Sequence, residues 1–209
     1  MKKIFLRMKH WQLFLLLFLP SLLMGGCLMY SFPSIAELEQ ARGSFNPEEI
    51  ISSVVNTIPL MFITIFAWAC YMLTLLFALN DRVPLPLKRN MAFPVFALVF
   101  PMLYSLAACG FVMYLFQNLL ANNMNIFEGA SESTILVVVG IVLPCHFLVI
   151  FLSFYLFFVL AKLMKTAELQ RKPDGDEFIG EFFLFWFFFV GIWILQPRIN
   201  KMFEQEELD

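Results

Sequence analysis

His146 and Glu181 are the residues of this chain best placed to carry chemistry. His146 stands inside a long apolar run, where an ionisable group is costly and usually faces a bundle interior. Pro144, two residues earlier, frees a carbonyl one turn back. A neutral imidazole hydrogen-bonded in that region is the structural reading; a proton or ligand site is the functional one. Glu181 opens a Phe-rich segment. A carboxylate in a first helical turn suits the helix dipole. The other readings make it a partner for Arg198 or Lys201 if the segment folds back, or a proton-titrating group. Cys27, Cys70, Cys109 and Cys145 fall in four different apolar runs with no CxxC spacing and no paired His. Neither a metal nor a redox site is expected, and buried Cys often acts as a small apolar residue. Asn56, Thr57, Thr64, Ser105 and Gln117 could line a polar path. Such groups more often bond between helices, at a modest ~0.6 kcal/mol each. The P-loop, GxGxxG, HExxH and GxSxG patterns are missing from the sequence, so no catalytic residue and no cofactor is nominated.

The elements that must position these residues follow from composition. The chain has 209 residues, of which 61% are hydrophobic and 14% charged, and its mean hydropathy is +0.80. Soluble domains are about a quarter charged. This balance excludes a soluble globular enzyme, a disordered regulator and a nucleic-acid binder with a basic face. Twenty-seven Phe and 12 Met suit lipid contact and adaptable packing. A hydrocarbon core about 30 Å thick needs about 20 apolar residues as helix. Trp11–Phe32, Ile51–Leu79, Met91–Ala121 and Thr134–Ala161 each meet this, and none shows the period-two alternation of a membrane strand. The expected fold is an all-α membrane protein: a four-transmembrane-helix bundle over residues 1–165, then residues 166–209 with a cytoplasmic loop, a short C-terminal membrane-embedded helix and an acidic tail.

Basic residues set the expected orientation. Lys2, Lys3, Arg7 and Lys9 precede the first span. Arg82, Lys88 and Arg89 separate the second from the third, and Lys162, Lys165, Arg171 and Lys172 follow the fourth. The other two connections carry Glu37, Glu39, Glu48 and Glu49 with Arg42, then Glu128 and Glu132. The N-terminus is therefore expected in the cytoplasm. A fifth apolar stretch, Phe182–Leu195, reaches roughly 21 Å as helix, short of the core. If it spans, the 14 basic residues divide 11 inside to 3 outside; if it dips in and returns, 13 to 1. The charge split favours a re-entrant helix, with a thinned or tilted fifth span as the alternative.

Two further patterns bear on organisation. Met24-Gly25-Gly26-Cys27 imitates a lipobox, but the apolar run continues past Cys27 and Pro20 interrupts it, so a retained anchor is expected rather than a lipidated Cys27. Met29-Tyr30-Ser31-Phe32 echoes Met113-Tyr114-Leu115-Phe116, and Pro59, Phe62, Ile65 and Phe66 echo Pro144, Phe147, Ile150 and Phe151. These echoes fit either duplicated hairpins, 11–79 and 91–161, or two unrelated apolar hairpins.

The last third carries a specific string: Pro144-Cys145-His146-Phe147, Lys165-Thr166-Ala167-Glu168-Leu169-Gln170-Arg171, Gly180-Glu181-Phe182-Phe183, Gly191-Ile192-Trp193 and Gln196-Pro197-Arg198-Ile199-Asn200-Lys201-Met202. It resembles a group of uncharacterised multi-pass inner-membrane proteins widespread in Bacteroidota. The resemblance implies a Gram-negative inner membrane and adds Glu168, Arg171, Gln196, Arg198 and Asn200 to His146 and Glu181 as candidate functional residues. It implies no activity, cofactor or substrate. In that group a proline precedes the glycine of the fifth segment; here Phe189-Val190 precede Gly191. The expected role is a non-enzymatic accessory or interaction subunit of a membrane complex. The alternative is a small channel or transporter with an intramembrane His/Glu site. The expected partners are the bilayer and a membrane protein or further copies of the chain, with no nucleic acid.

Overall fold

A computed structural model describes residues 2–31, 47–121 and 138–204. Among them the chain forms seven α-helices: α1 (Lys2–Arg7), α2 (His10–Ser31), α3 (Pro47–Arg82), α4 (Ala92–Ala121), α5 (Leu143–Leu169), α6 (Gly175–Trp186) and α7 (Phe188–Glu204). Four of these segments are long and apolar enough to cross a membrane: His10–Cys27, Thr57–Arg82, Ala92–Phe111 and Val139–Leu169. The acidic connections expected outside fall largely beyond the described residues, as do the first residues of the fourth expected span.

The short link between α3 and α4 sets these two helices antiparallel. Between α3 and α4 a 3₁₀ turn, Leu85–Leu87, is stiffened by Pro84 and Pro86. A π-turn at Val138–Val142 leads into α5 and is followed at once by Pro144, whose ring cannot continue regular helical bonding backward. The loop expected after residue 165 is mostly helix. α5 runs on to Leu169 and α6 starts at Gly175. Gln170 reverses the chain in the left-handed region (φ 54°), donating its backbone N–H to Thr166 O. Its side-chain amide reaches Arg82 O at 3.2 Å, tying this turn to the end of α3.

The apolar stretch 182–195 is not one helix. α6 ends at Trp186 with Phe187 as its cap, and α7 restarts with Val190 and Gly191 both donating to Phe187 O. The chain folds back, bringing Gly191 against the Leu184 backbone so closely that an added Cβ would overlap the Leu184 carbonyl. The turn forms without proline, and the missing side chain at Gly191 is what permits it. The core gathers where this hairpin enters the bundle. Leu13 and Leu17 of α2, Tyr71, Leu75 and Leu79 of α3, and Leu156, Leu160 and Leu163 of α5 enclose Phe185, Ile192, Leu195 and Ile199. At the other end burial is sparse: Phe62, Phe66, Phe147 and Phe151 are exposed.

Candidate functional site

The antiparallel order gathers Arg82, Lys88, Arg89, Lys162, Lys165, Arg171, Lys172, Arg198 and Lys201 at one end of the bundle, here the basic end. Six of the seven candidate residues lie there, in three connected arrangements.

The first is an ionic cluster across the base of the hairpin. Arg198 of α7 donates from Nε and Nη2 to Glu168 Oε1 of α5 (3.0 and 2.8 Å), and from Nη2 to Glu168 Oε2 (2.8 Å). The same Nη2 reaches Glu181 Oε1 of α6 at 2.7 Å. Lys165 donates to Glu181 Oε1 at 3.3 Å and stands 3.6 Å from Glu168 Oε2. Two cations and two carboxylates thus bind three helices together, and the Glu181 side chain is only 7% exposed. Burial works against ionisation of Glu181, but hydrogen bonds from Arg198 and Lys165 outweigh it and hold its pKa below the ordinary carboxylate value. Burial likewise opposes the Arg198 charge, and bonding to Glu168 and Glu181 prevails, so its pKa rises. This is the fold-back pairing of Glu181 with Arg198, one of the readings open from sequence; Lys201 is exposed beyond it.

The second arrangement closes the N-terminal helix. Gln196 is fully buried. Its Oε1 accepts from Tyr71 Oη (2.8 Å), while its Nε2 donates to Phe5 O (2.9 Å), Met8 O (3.1 Å) and Asn200 Oδ1 (2.9 Å). Asn200 Nδ2 also donates to Met8 O at 3.1 Å. The Phe5 carbonyl of α1 and the Met8 carbonyl just past its end are met by two side chains spaced one turn apart on α7. The third pins the α5–α6 turn. Arg171 makes a two-pronged ion pair with Glu177, with Nη1 to Oε2 at 2.9 Å, and Glu177 accepts the Asp174 backbone N–H at 2.9 Å. The hydrogen bond from Arg171 lowers the Glu177 pKa, and its counterpart raises that of Arg171.

His146 is not with them. It is exposed on the first turn of α5, its ring 6.1 Å from that of Tyr104. The 22 residues from His146 to Glu168 along one helix separate it from the ionic cluster by roughly 33 Å. Hydroxyls within the spans bond back to their own helices. Thr64 donates to Leu60 O, Thr74 to Cys70 O, Ser105 to Pro101 O and Ser153 to Val149 O. Asn56 and Gln117 have side chains outside the described set. Three of these hydroxyls, with Ser21 of α2, meet a cavity of about 700 Å³ between α2, α3, α4 and α5, lined otherwise by apolar side chains and floored by the hairpin turn, Trp186–Val190. Ser21, Thr64, Ser105 and Ser153 are its hydroxyls, one from each helix, and Ser21 lies 3.4 Å from Thr64.

Sequence reasoning did not single out Tyr71, Lys165 or the role of Gly191. The spacing of Lys165 and Glu168, one turn apart, was a usable signal. Nothing local joins Tyr71 to Gln196, 125 positions away. No family model, no curated protein and no solved structure matches the chain.

Proposed function

We propose that this chain is a non-enzymatic accessory subunit of a bacterial inner-membrane complex, with its basic end in the cytoplasm and α6–α7 forming a re-entrant hairpin. The cationic flanks support the orientation by the positive-inside rule. The hairpin places Lys201 and Arg198 back among the other basic residues, the 13-to-1 arrangement. The sequence resemblance supports the choice of membrane.

The observation that carries the interaction reading is the cavity above the hairpin turn. Its walls are apolar, its hydroxyls are largely engaged with helix carbonyls, and Phe187, Phe189 and Val190 are more than half exposed at its floor. A hollow of this kind receives apolar side chains, whereas conduction calls for rows of free polar groups. The complementary partner is an apolar transmembrane helix of another subunit, packing by shape as helices do in lipid. A channel or carrier built on His146 and Glu181 would need the two to share a path. Their separation and the neutralised pairing of Glu181 speak against it. Photo-crosslinking groups at Phe187 and Val190 in native membranes test the reading. They are expected to capture one defined membrane polypeptide, while the same group at exposed Leu85 does not. A protein that extracts alone and monodisperse, with lipid as its only adduct, overturns it.

A further inference from the structure

A second, smaller cavity lies at the basic end, outside the hairpin. It holds about 250 Å³ and is lined by Arg89, Lys162 and Lys172, with Thr166, Leu163, Leu87 and Pro86. No carboxylate lines it. The three cations arrive from three separate stretches of chain, Arg89 and Lys172 exposed and Lys162 half-buried, each on an anchored stretch of backbone. Asn80 clasps the Arg89 backbone from both sides, accepting its N–H at 3.1 Å and donating to its carbonyl at 3.4 Å. The Lys162 ammonium lies 5.9 Å from the ring centres of both Phe158 and Phe178. Lys172 precedes the buried Pro173 in the turn pinned by Gln170 and Arg171.

None of the three forms an ion pair among the described residues. Among nearby carboxylates, Glu168 and Glu181 are engaged with Arg198 and Lys165, and Glu177 with Arg171; Asp174 and Asp176 are exposed and line no part of the pocket. Three positive side chains line one hollow beside an apolar wall of Pro86, Leu87 and Leu163, the last on a helix long and apolar enough to cross a membrane. A free-standing polar ion would not require that wall; a molecule with an anionic head and an apolar body matches both.

We propose that this pocket binds the phosphate headgroup of an anionic membrane lipid, with Arg89, Lys162 and Lys172 around the phosphate oxygens and the acyl chains running along α4 and α5. Basic pockets between membrane helices recognise such headgroups, and each cation near the charge is worth roughly a fivefold gain in binding. The proposal depends on the chain being membrane-embedded but not on its being an accessory subunit.

The test uses the full-length protein reconstituted in vesicles of phosphatidylcholine with one-fifth phosphatidylglycerol. Lipid that stays bound is read by native mass spectrometry after extraction. The wild type is expected to retain phosphatidylglycerol well above its share. The triple variant Arg89→Gln, Lys162→Gln, Lys172→Gln is expected to retain it only in proportion, a loss on the order of 100-fold in relative affinity. Arg89→Lys with Lys162→Arg and Lys172→Arg keeps the charges, is expected to keep the enrichment, and controls for folding. Removing three cations elsewhere at the same end, Lys2, Lys9 and Lys201, is expected to leave it unchanged. Enrichment that survives the Gln triple, is lost equally with the Lys2, Lys9 and Lys201 variant, or is never seen in the wild type overturns the proposal. Displacement of the lipid by millimolar inorganic phosphate would also overturn it, assigning the pocket to free phosphate.

Discussion

Lys162 and Lys165 stand one turn apart on the same helix, yet they belong to different kinds of site. Lys165 sits with Arg198 among two carboxylates, every charge answered and the group closed between three helices. Lys162 faces a hollow with Arg89 and Lys172 and no carboxylate. The difference lies in the partners, not in residue type or depth. A matched cluster is architecture, and removing one member leaves the rest uncompensated. An unmatched one contributes little to the fold and leaves its charges available to something outside the chain. The candidate residues suggested by resemblance fell almost wholly on the architectural side.

That contrast can be broken most severely at the hairpin turn. Gly191→Ala drives a methyl into the Leu184 backbone, which cannot rotate away, and is expected to cost about 3 kcal/mol or more, read as a loss of thermal stability in detergent. A wild-type melting curve for this variant would mean that α6 and α7 do not approach as described. Next, Arg198→Gln leaves Glu181 and Glu168 with Lys165 alone and is expected to cost about 2 kcal/mol. Arg89→Gln in the pocket should stay within about 0.5 kcal/mol of wild type. Equal effects from the two would erase the distinction. Gln196→Leu leaves the buried Tyr71 hydroxyl and the Phe5 carbonyl of α1 without this partner, for about 2 kcal/mol. It should free the N-terminal helix to proteolysis before the bundle melts.

The smallest expected effect is on pH dependence. Glu181 and Glu177 are held below their ordinary pKa, so their stabilisation is complete above the unfolded carboxylate value of ~4.3 and is lost as pH falls through the lower folded values. Acid melting in the Glu181→Gln variant should be flatter between pH 5 and pH 3 (roughly the carboxylate range) than in wild type. A steeper curve would contradict the ionic pairing.

Much of this architecture was legible in the sequence, because lipid imposes long apolar runs and the basic flanks mark their ends. Four candidate spans follow directly from composition. The shortness of Phe182–Leu195 and the charge split together pointed to a fold-back, and the pairing of Glu181 with Arg198 was one of its consequences. What the chain could not disclose was set by distant contacts. Tyr71 reads as one more aromatic until Gln196 is placed against it. Gly191 reads as an ordinary membrane-helix glycine until Leu184 lies over it. The expectation that His146 faces the bundle interior rested on the cost of burying an ionisable group. The structure instead leaves the His146 side chain exposed on the first turn of α5, beside Tyr104, rather than packed inside the bundle.

The re-entrant hairpin is the claim on which the remainder turns, and sidedness tests it most directly. Cysteines introduced singly at Asp176 and Lys201, in a background where the four native cysteines are replaced, are probed in sealed vesicles with a membrane-impermeant thiol reagent. Both positions are expected to react from the same face, the one that also exposes Lys88→Cys. Reaction of Asp176→Cys from one face and Lys201→Cys from the other would make the segment a fifth span and contradict the account.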